Sequence, residues 1–200
     1  MAEAANKPMS TIGMKDVVIA ELTSDTAEGA NYGEIVPVVG AIDASVTPQN
    51  TEAEVQYADD GEYDAVYPDP EVEFRLQMVD LPLTVQEMIL GNTIDQNGVL
   101  IRNANDKPGY FAVGFKSEKA DHTYRCVWLY KVRAAPVTEN YATKEGETIT
   151  RQTGEVQFTA IKRTYDGDYQ AVADEGLNGF TKEKMDTFFE TVYQKVPKTA

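Results

Sequence analysis

The 200-residue chain carries 33 acids against 18 bases, for a net charge of −15, with one cysteine and one histidine. At this length one core removes about 70% of the unfolded chain's surface from water, so a single domain needs no disulfide or metal, and Cys126 alone builds neither a disulfide framework nor a multi-thiolate zinc site. The charge has the wrong sign for a free-standing nucleic-acid binder, no apolar run approaches the ~20 residues that span a bilayer, and residues 1–10 lack the hydrophobic run of a secretory signal.

Residues 1–14 are polar and punctuated by Gly and Pro, and read as an arm before a first strand, Asp16–Leu22. Composition makes 24–34 a loop. Val38–Thr47 is the next strand, closed by Pro48, which cannot donate to a ladder. Glu52–Tyr57 is extended. Ala58–Pro70 reads A-D-D-G-E-Y-D-A-V-Y-P-D-P, with seven of thirteen residues Asp, Gly or Pro, so 57–70 is expected as a long loop. Val72, Phe74, Leu76 and Met78 then alternate with Glu73, Arg75 and Gln77, giving a strand with one apolar face. Thr84-Val85-Gln86-Glu87 has the form of a capping box, and Val85, Met88 and Ile89 share a helix face that runs to Gly91. Asn97-Gly98 predicts a hairpin.

The strongest strand pair is Tyr110–Lys116 with Thr123–Ala134. On its second strand Tyr124, Cys126, Trp128, Tyr130 and Val132 form one face, and Arg125, Val127, Leu129, Lys131 and Arg133 the other. Ala135–Gly154 is loop-like. Glu155–Tyr165 is a strand ended by Asp166-Gly167. Over Thr181–Tyr193, Met185, Phe188, Phe189, Val192 and Tyr193 recur at helical spacing, and Pro197 closes that helix.

About eight strands and two helices predict a mainly β (α+β) fold. Two packed antiparallel β-sheets, as a sandwich or partly open barrel, are flanked by a short helix near 84–91, with a C-terminal helix near 181–193. The expected organisation is an arm over 1–14, a β-sandwich domain over 15–166 and a C-terminal segment over 167–200.

Charge is unevenly laid out. Residues 1–100 hold nineteen acids and three bases, residues 101–200 fourteen and fifteen, and no basic side chain occurs between Lys15 and Arg75. This is either a solvated acidic face or the mark of a self-associating subunit, whose acidic half meets a neighbour's more basic half head to tail. The carboxylates of 59–64 lack the EF-hand spacing, which favours a solvated or intersubunit loop over a metal site. His122 lies in a turn with no nucleophile beside it, Cys126 reads as a small core hydrophobe, and no Gly-rich phosphate loop is present. No catalytic, metal or cofactor-binding residue is expected, and the chain reads as not an enzyme. The face bearing Arg125, Val127, Leu129, Lys131 and Arg133 sets two aliphatics among three bases. It is a protein–protein patch, or else long basic stems cover the edge of the core.

An ordered series of short motifs resembles a known family. The series runs through Gly13-Met14-Lys15-Asp16-Val17-Val18-Ile19-Ala20, Tyr32-Gly33, Gly40-Ala41-Ile42 and Tyr57-Ala58-Asp59-Asp60-Gly61. It continues at Asp80-Leu81-Pro82-Leu83, Leu90-Gly91, Asn97-Gly98-Val99, Tyr110–Lys116, Val127-Trp128-Leu129-Tyr130-Lys131 and Tyr141-Ala142-Thr143-Lys144-Glu145. Over residues 13 to about 165 the chain resembles the major tail protein, or tail tube protein, of long non-contractile-tailed phages and prophages of Gram-positive bacteria. The resemblance implies six-fold rings stacked into a virion tail tube, assembled in the host cytoplasm without a membrane. The implied partners are other copies, a tape-measure protein in the lumen, tail terminator and distal tail proteins at the ends, and DNA in transit without sequence-specific binding. It implies that the 57–70 excursion reaches neighbouring subunits, so Tyr57, Ala58, Asp59, Asp60, Gly61, Tyr63 and Tyr67 join the five residues of the mixed face as interface candidates. The N-terminal arm and C-terminal segment become candidates for ring-to-ring contacts. Acids facing the bore would keep passing phosphate off the wall. The alternative is a surface-binding β-sandwich module for carbohydrate or a receptor, suggested by eleven tyrosines and Trp128.

Overall fold

Alternating β-branched or aromatic and polar residues drive most of this chain into strands. The computed structural model describes residues 9–49, 52–58, 61–67, 71–139, 141, 143, 153–177 and 179–196. The first elements are β1 (Thr11–Thr26), β2 (Gly29–Tyr32), β3 (Val36–Val38), β4 (Ala41–Gln49), β5 (Glu54–Ala58), β6 (Gly61–Val66), β7 (Glu71–Met78) and α1 (Leu83–Leu90). They are followed by β8 (Thr93–Ile94), β9 (Leu100–Ile101), β10 (Phe111–Lys119), β11 (Tyr124–Ala134), β12 (Gly154–Ala160), β13 (Gln170–Asp174) and α2 (Lys182–Thr187). The fold is mainly β with two helices, as the periodicities require. β1 begins inside the expected arm, whose residues 1–8 lie outside the described ones, and the expected loop over 24–34 is mostly the β1–β2 hairpin.

Nine strands form one antiparallel sheet in the order β2-β1-β10-β11-β12-β7-β4, with β3 on β1 and β13 on β11. This sheet folds over itself. β10 and β7 stand three strand positions apart, about 14 Å if the sheet were flat. Yet Phe115 of β10 stacks on Phe74 of β7 at 5.9 Å, and Phe111 meets Phe158 of β12 edge-on at 5.7 Å. The two packed layers are therefore halves of a single folded sheet, β3-β1-β10-β11-β13 and β12-β7-β4. Among the described residues β4 pairs only with β7, so no barrel closes.

β11 is where the halves divide. Its residues 125–129 pair with β13 and 132–134 with β12. Between those stretches the register against β10 slips by one residue, from Val113↔Leu129 to Phe111↔Val132. Such a bulge turns every later side chain to the opposite face. Val132 and Ala134 thus join Val127 and Leu129 in the main core, and the assignment of Val132 to the Trp128 face is corrected. β13 went unread because Gln170-Ala171-Val172-Ala173-Asp174 has little strand propensity of its own; pairing with β11 makes it a strand. It brings part of the expected C-terminal segment into the sheet.

α1 starts one residue earlier than expected, with the amides of Val85 and Gln86 donating to the Pro82 carbonyl. The capping box does not form. Glu87 instead turns its Oε1 to the Ile94 amide at 2.9 Å, tying the helix to the β8–β9 hairpin at Asn97-Gly98. Gly91 ends the helix in the left-handed region, and a Cβ there would lie 2.6 Å from the Lys107 carbonyl oxygen. α2 is shorter than the expected 181–193 helix. The Thr187 hydroxyl donates to the Glu183 and Lys184 carbonyls, and the chain leaves the helix through a turn at 188–190. Pro197 lies outside the described residues.

Candidate subunit interface

β4 and β7 pair from Ala41↔Met78 to Gln49↔Glu71. Past that end the chain carries a second antiparallel ribbon, β5 on β6, paired from Glu54↔Val66 to Ala58↔Gly61. Among the described residues this ribbon shares no ladder with the main sheet. The long loop expected over 57–70 is therefore largely strand. Six of its seven Asp, Gly and Pro residues fall at 59–61 and 68–70, leaving tyrosines and a valine in between that favour extension.

Val55 and Ala65 are cross-strand partners, and the register then slips at Tyr63, so that Tyr57 comes opposite Glu62 and Tyr63 stands at a bulge. The rings of Tyr57, Tyr63 and Tyr67 are exposed, Tyr63 at 76%. Ala58 and Gly61 pair at the strand ends, while Asp59, Asp60 and 68–70 lie outside the described residues. Exposed aromatic rings on an acidic ribbon have the composition of a contact surface.

The mixed face of β11 is a different matter. Val127 is 5% exposed and Leu129 0%, both packed in the main core beneath the second layer, so as interface residues these two are corrected to core residues. Each of the three bases has a partner, and the bulge carries Arg133 off this face to the outer side of the sheet, opposite Thr159, so its grouping with Val127 and Leu129 is corrected. Arg125 makes a bidentate pair with Asp174 at 2.7 and 2.8 Å, and Lys119 reaches the same carboxylate at 2.9 Å. Lys131 donates to Asp25 at 2.6 Å. Arg133 donates from Nε to the Pro108 carbonyl at 3.1 Å and lies over the Tyr110 ring. The Arg125 guanidinium, working against burial and joined by Lys119, holds the Asp174 carboxyl at about 2. Burial pushes the Asp25 carboxyl up, but Lys131 and the amides of Thr164 and Tyr165 outweigh it and also leave it at about 2.

The two outer faces of the folded sheet contrast. That of the first layer bears Val18, Ala20, Ala112, Cys126, Trp128 and Tyr130, and the chain's own end covers it with Met185, Phe188 and Val192. Trp128 Nε1 donates to the Phe188 carbonyl at 3.2 Å, and the Phe189 ring lies 5.3 Å from the indole. Arg163, 1% exposed, pins the end of this cover. It lies 3.7 Å over the Tyr130 ring, pairs with Asp166 and donates to Gln194 Oε1 at 3.0 Å. No sequence pattern singles out Arg163, because its partners come from three distant segments. With the indole fully covered, a sugar-binding platform around Trp128 has no exposed ring to use.

The outer face of β12-β7-β4 is uncovered and polar. Asp43, Glu71, Glu73 and Glu155 stand on it, and Arg75, the base among them, donates to Glu73 at 2.7 Å. Among the described residues no three His, Cys, Asp or Glu side chains are grouped to hold a metal ion, and no helix is long and apolar enough to cross a membrane. A family model described as phage tail tube protein matches residues 32–197. No curated protein matches the chain.

Proposed function

The chain belongs to the phage tail tube protein family, and from that premise we propose that it is the major tail protein, a non-catalytic subunit. In this reading it polymerises as stacked six-fold rings into a tube that conducts DNA during genome ejection. The observation that carries self-assembly is the β5–β6 ribbon. Three solvated tyrosines on a ribbon unpaired with the main sheet bring a monomer nothing, whereas burying each ring on a neighbour is worth roughly 1.5–3 kcal/mol. A ribbon docking on some other part of the next copy is a heterologous contact. Each subunit then gives one and receives one, which generates rings or stacks.

The uncovered face of β12-β7-β4 suits the bore. Its carboxylates repel phosphate within the ~10 Å screening length, while a basic lining would bind the duplex and hold it. A tape-measure protein would occupy that lumen before DNA, and tail terminator and distal tail proteins would cap the ends. The working location is the virion tail, after assembly in the host cytoplasm.

Electron microscopy of the purified protein, concentrated or mixed with tail initiator proteins, is expected to show hollow tubes with six-fold end views. The variant Tyr57→Ser/Tyr63→Ser/Tyr67→Ser should stay folded and form none. A monodisperse monomer under every condition overturns the proposal.

A further inference from the structure

Among the grooves of the described surface, four differ in charge. One is lined by Val79, Asp80, Leu83, Glu139 and Tyr141, and its carboxylates repel an acidic segment. A second holds Arg102, which Glu139 already engages, beside Asp106. A third, beside Tyr165, has Asp166 paired with Arg163 and Lys195 paired with Asp168. The fourth, about 400 Å³, lies in the C-terminal cover between Phe180, Lys184, Thr187, Phe188, Thr191 and Tyr193.

The walls of that fourth groove are aromatic. Phe180 meets Phe188 edge-on at 5.3 Å, and Phe188 lies 5.2 Å from Tyr193. Its rim is polar and positive, with two threonine hydroxyls and Lys184. Lys184 is exposed, and among the described residues no carboxylate pairs with it. Aromatic walls with a hydroxyl and ammonium rim suit a phenol ring carried on an acidic segment. The chain offers such a ring in the exposed Tyr63, with the exposed Asp64 next to it, in a stretch that has no basic side chain between Lys15 and Arg75.

We propose that this groove seats the β5–β6 ribbon of a second copy, with the exposed Tyr63 ring entering against Phe180, Phe188 and Tyr193 and the acidic ribbon meeting Lys184 on the rim. The inference rests on the tube reading above and names the surface that receives the ribbon. The C-terminal segment thereby has two sides. Met185, Phe188 and Val192 seal its own subunit, and the opposite side receives a neighbour. Each copy keeps one ribbon and one groove, so a head-to-tail contact through them propagates into a ring or stack.

The test replaces Tyr63 with the photoreactive p-benzoylphenylalanine, which retains an aromatic ring, and irradiates assembled tubes made from mixed light and 15N-labelled chains. The expected result is an adduct joining residue 63 of one chain to residues 179–196 of another. An adduct elsewhere, or within one chain, overturns the inference while the tubes themselves uphold the assembly reading. Independently, Lys184→Glu should raise the concentration needed for assembly about tenfold, and Asp64→Lys in the same chain should restore it. No change with Lys184→Glu overturns the seat. If unmodified protein never forms tubes, the underlying reading fails and the seat with it.

Discussion

A side chain at position 114 would lift the end of the chain off the sheet. A Cβ on Gly114 would lie 2.7 and 2.9 Å from the Phe189 ring and 2.9 Å from the Trp128 indole. The glycine is kept for space here, since two aromatic rings share the strand's surface. Beside them sits Cys126, fully buried, its thiol pushed up to about 11 by burial. Gly114→Ala should cost about 1–3 kcal/mol by overpacking and make Cys126 react faster with an aromatic disulfide reagent. Unchanged thiol kinetics would mean the cover tolerates the methyl group. The same scale governs acid sensitivity. Asp25 and Asp174 are held at about 2, below the unfolded carboxylate range, so the stability they add is present above about pH 4 and lost as pH falls toward 2. Both side chains are less than a tenth exposed, and each adds on the order of 2 kcal/mol by linkage. Urea unfolding at pH 6 and pH 3 should show a smaller loss of stability on acidification in Asp174→Asn, from a lower start, than in the unaltered protein.

At the scale of elements, β11 shows how far a pattern read along one strand reaches. Alternation correctly separates Val127 and Leu129 from Cys126, Trp128 and Tyr130. It says nothing of what covers each face. Two aliphatics among three bases fit a surface patch and a core face with overhanging ends equally well, and only the fold of β12-β7-β4 across them settles the matter. Leu129→Asp accordingly buries an unpaired carboxylate in the main core and should cost more than 3 kcal/mol, read as loss of the cooperative thermal transition in the isolated subunit. A folded variant defective in assembly would return Leu129 to the surface. The ribbon teaches the converse. Composition marked 57–70 as unusual, but summing Asp, Gly and Pro hid their concentration at 59–61 and 68–70, between which Glu62–Val66 is free to pair. The C-terminal helix was legible as an amphipathic run, whereas its early end at Thr187 follows from fitting Phe188 and Phe189 onto one sheet surface.

For the whole molecule, the acidic first hundred residues are not spread evenly over the surface. Part of that charge is consumed internally, as with Asp25 on Lys131, and part stands on the open face of β12-β7-β4. If this face lines the bore, Asp43→Lys/Glu155→Lys should still yield tubes but make them retain duplex DNA, with retention falling steeply as salt rises. Particles carrying it should eject DNA more slowly than unaltered ones, and equal rates at low salt would remove this face from the lumen.

The residues alone determine the strand-rich character, the left-handed stop at Gly91, the hairpin at Asn97-Gly98 and the surplus of acid before residue 75, because each depends on neighbours within a few positions. Only the tertiary structure decides that a one-residue bulge sends Val132 to the main core, that Arg163 and Trp128 vanish under the chain's end, and that one sheet face is sealed while the other stays open. The physical reason is that side-chain period is a local property of the backbone. What lies against a given face is set by pairings between segments a hundred residues apart, each of which can shift by one residue and exchange inside for outside.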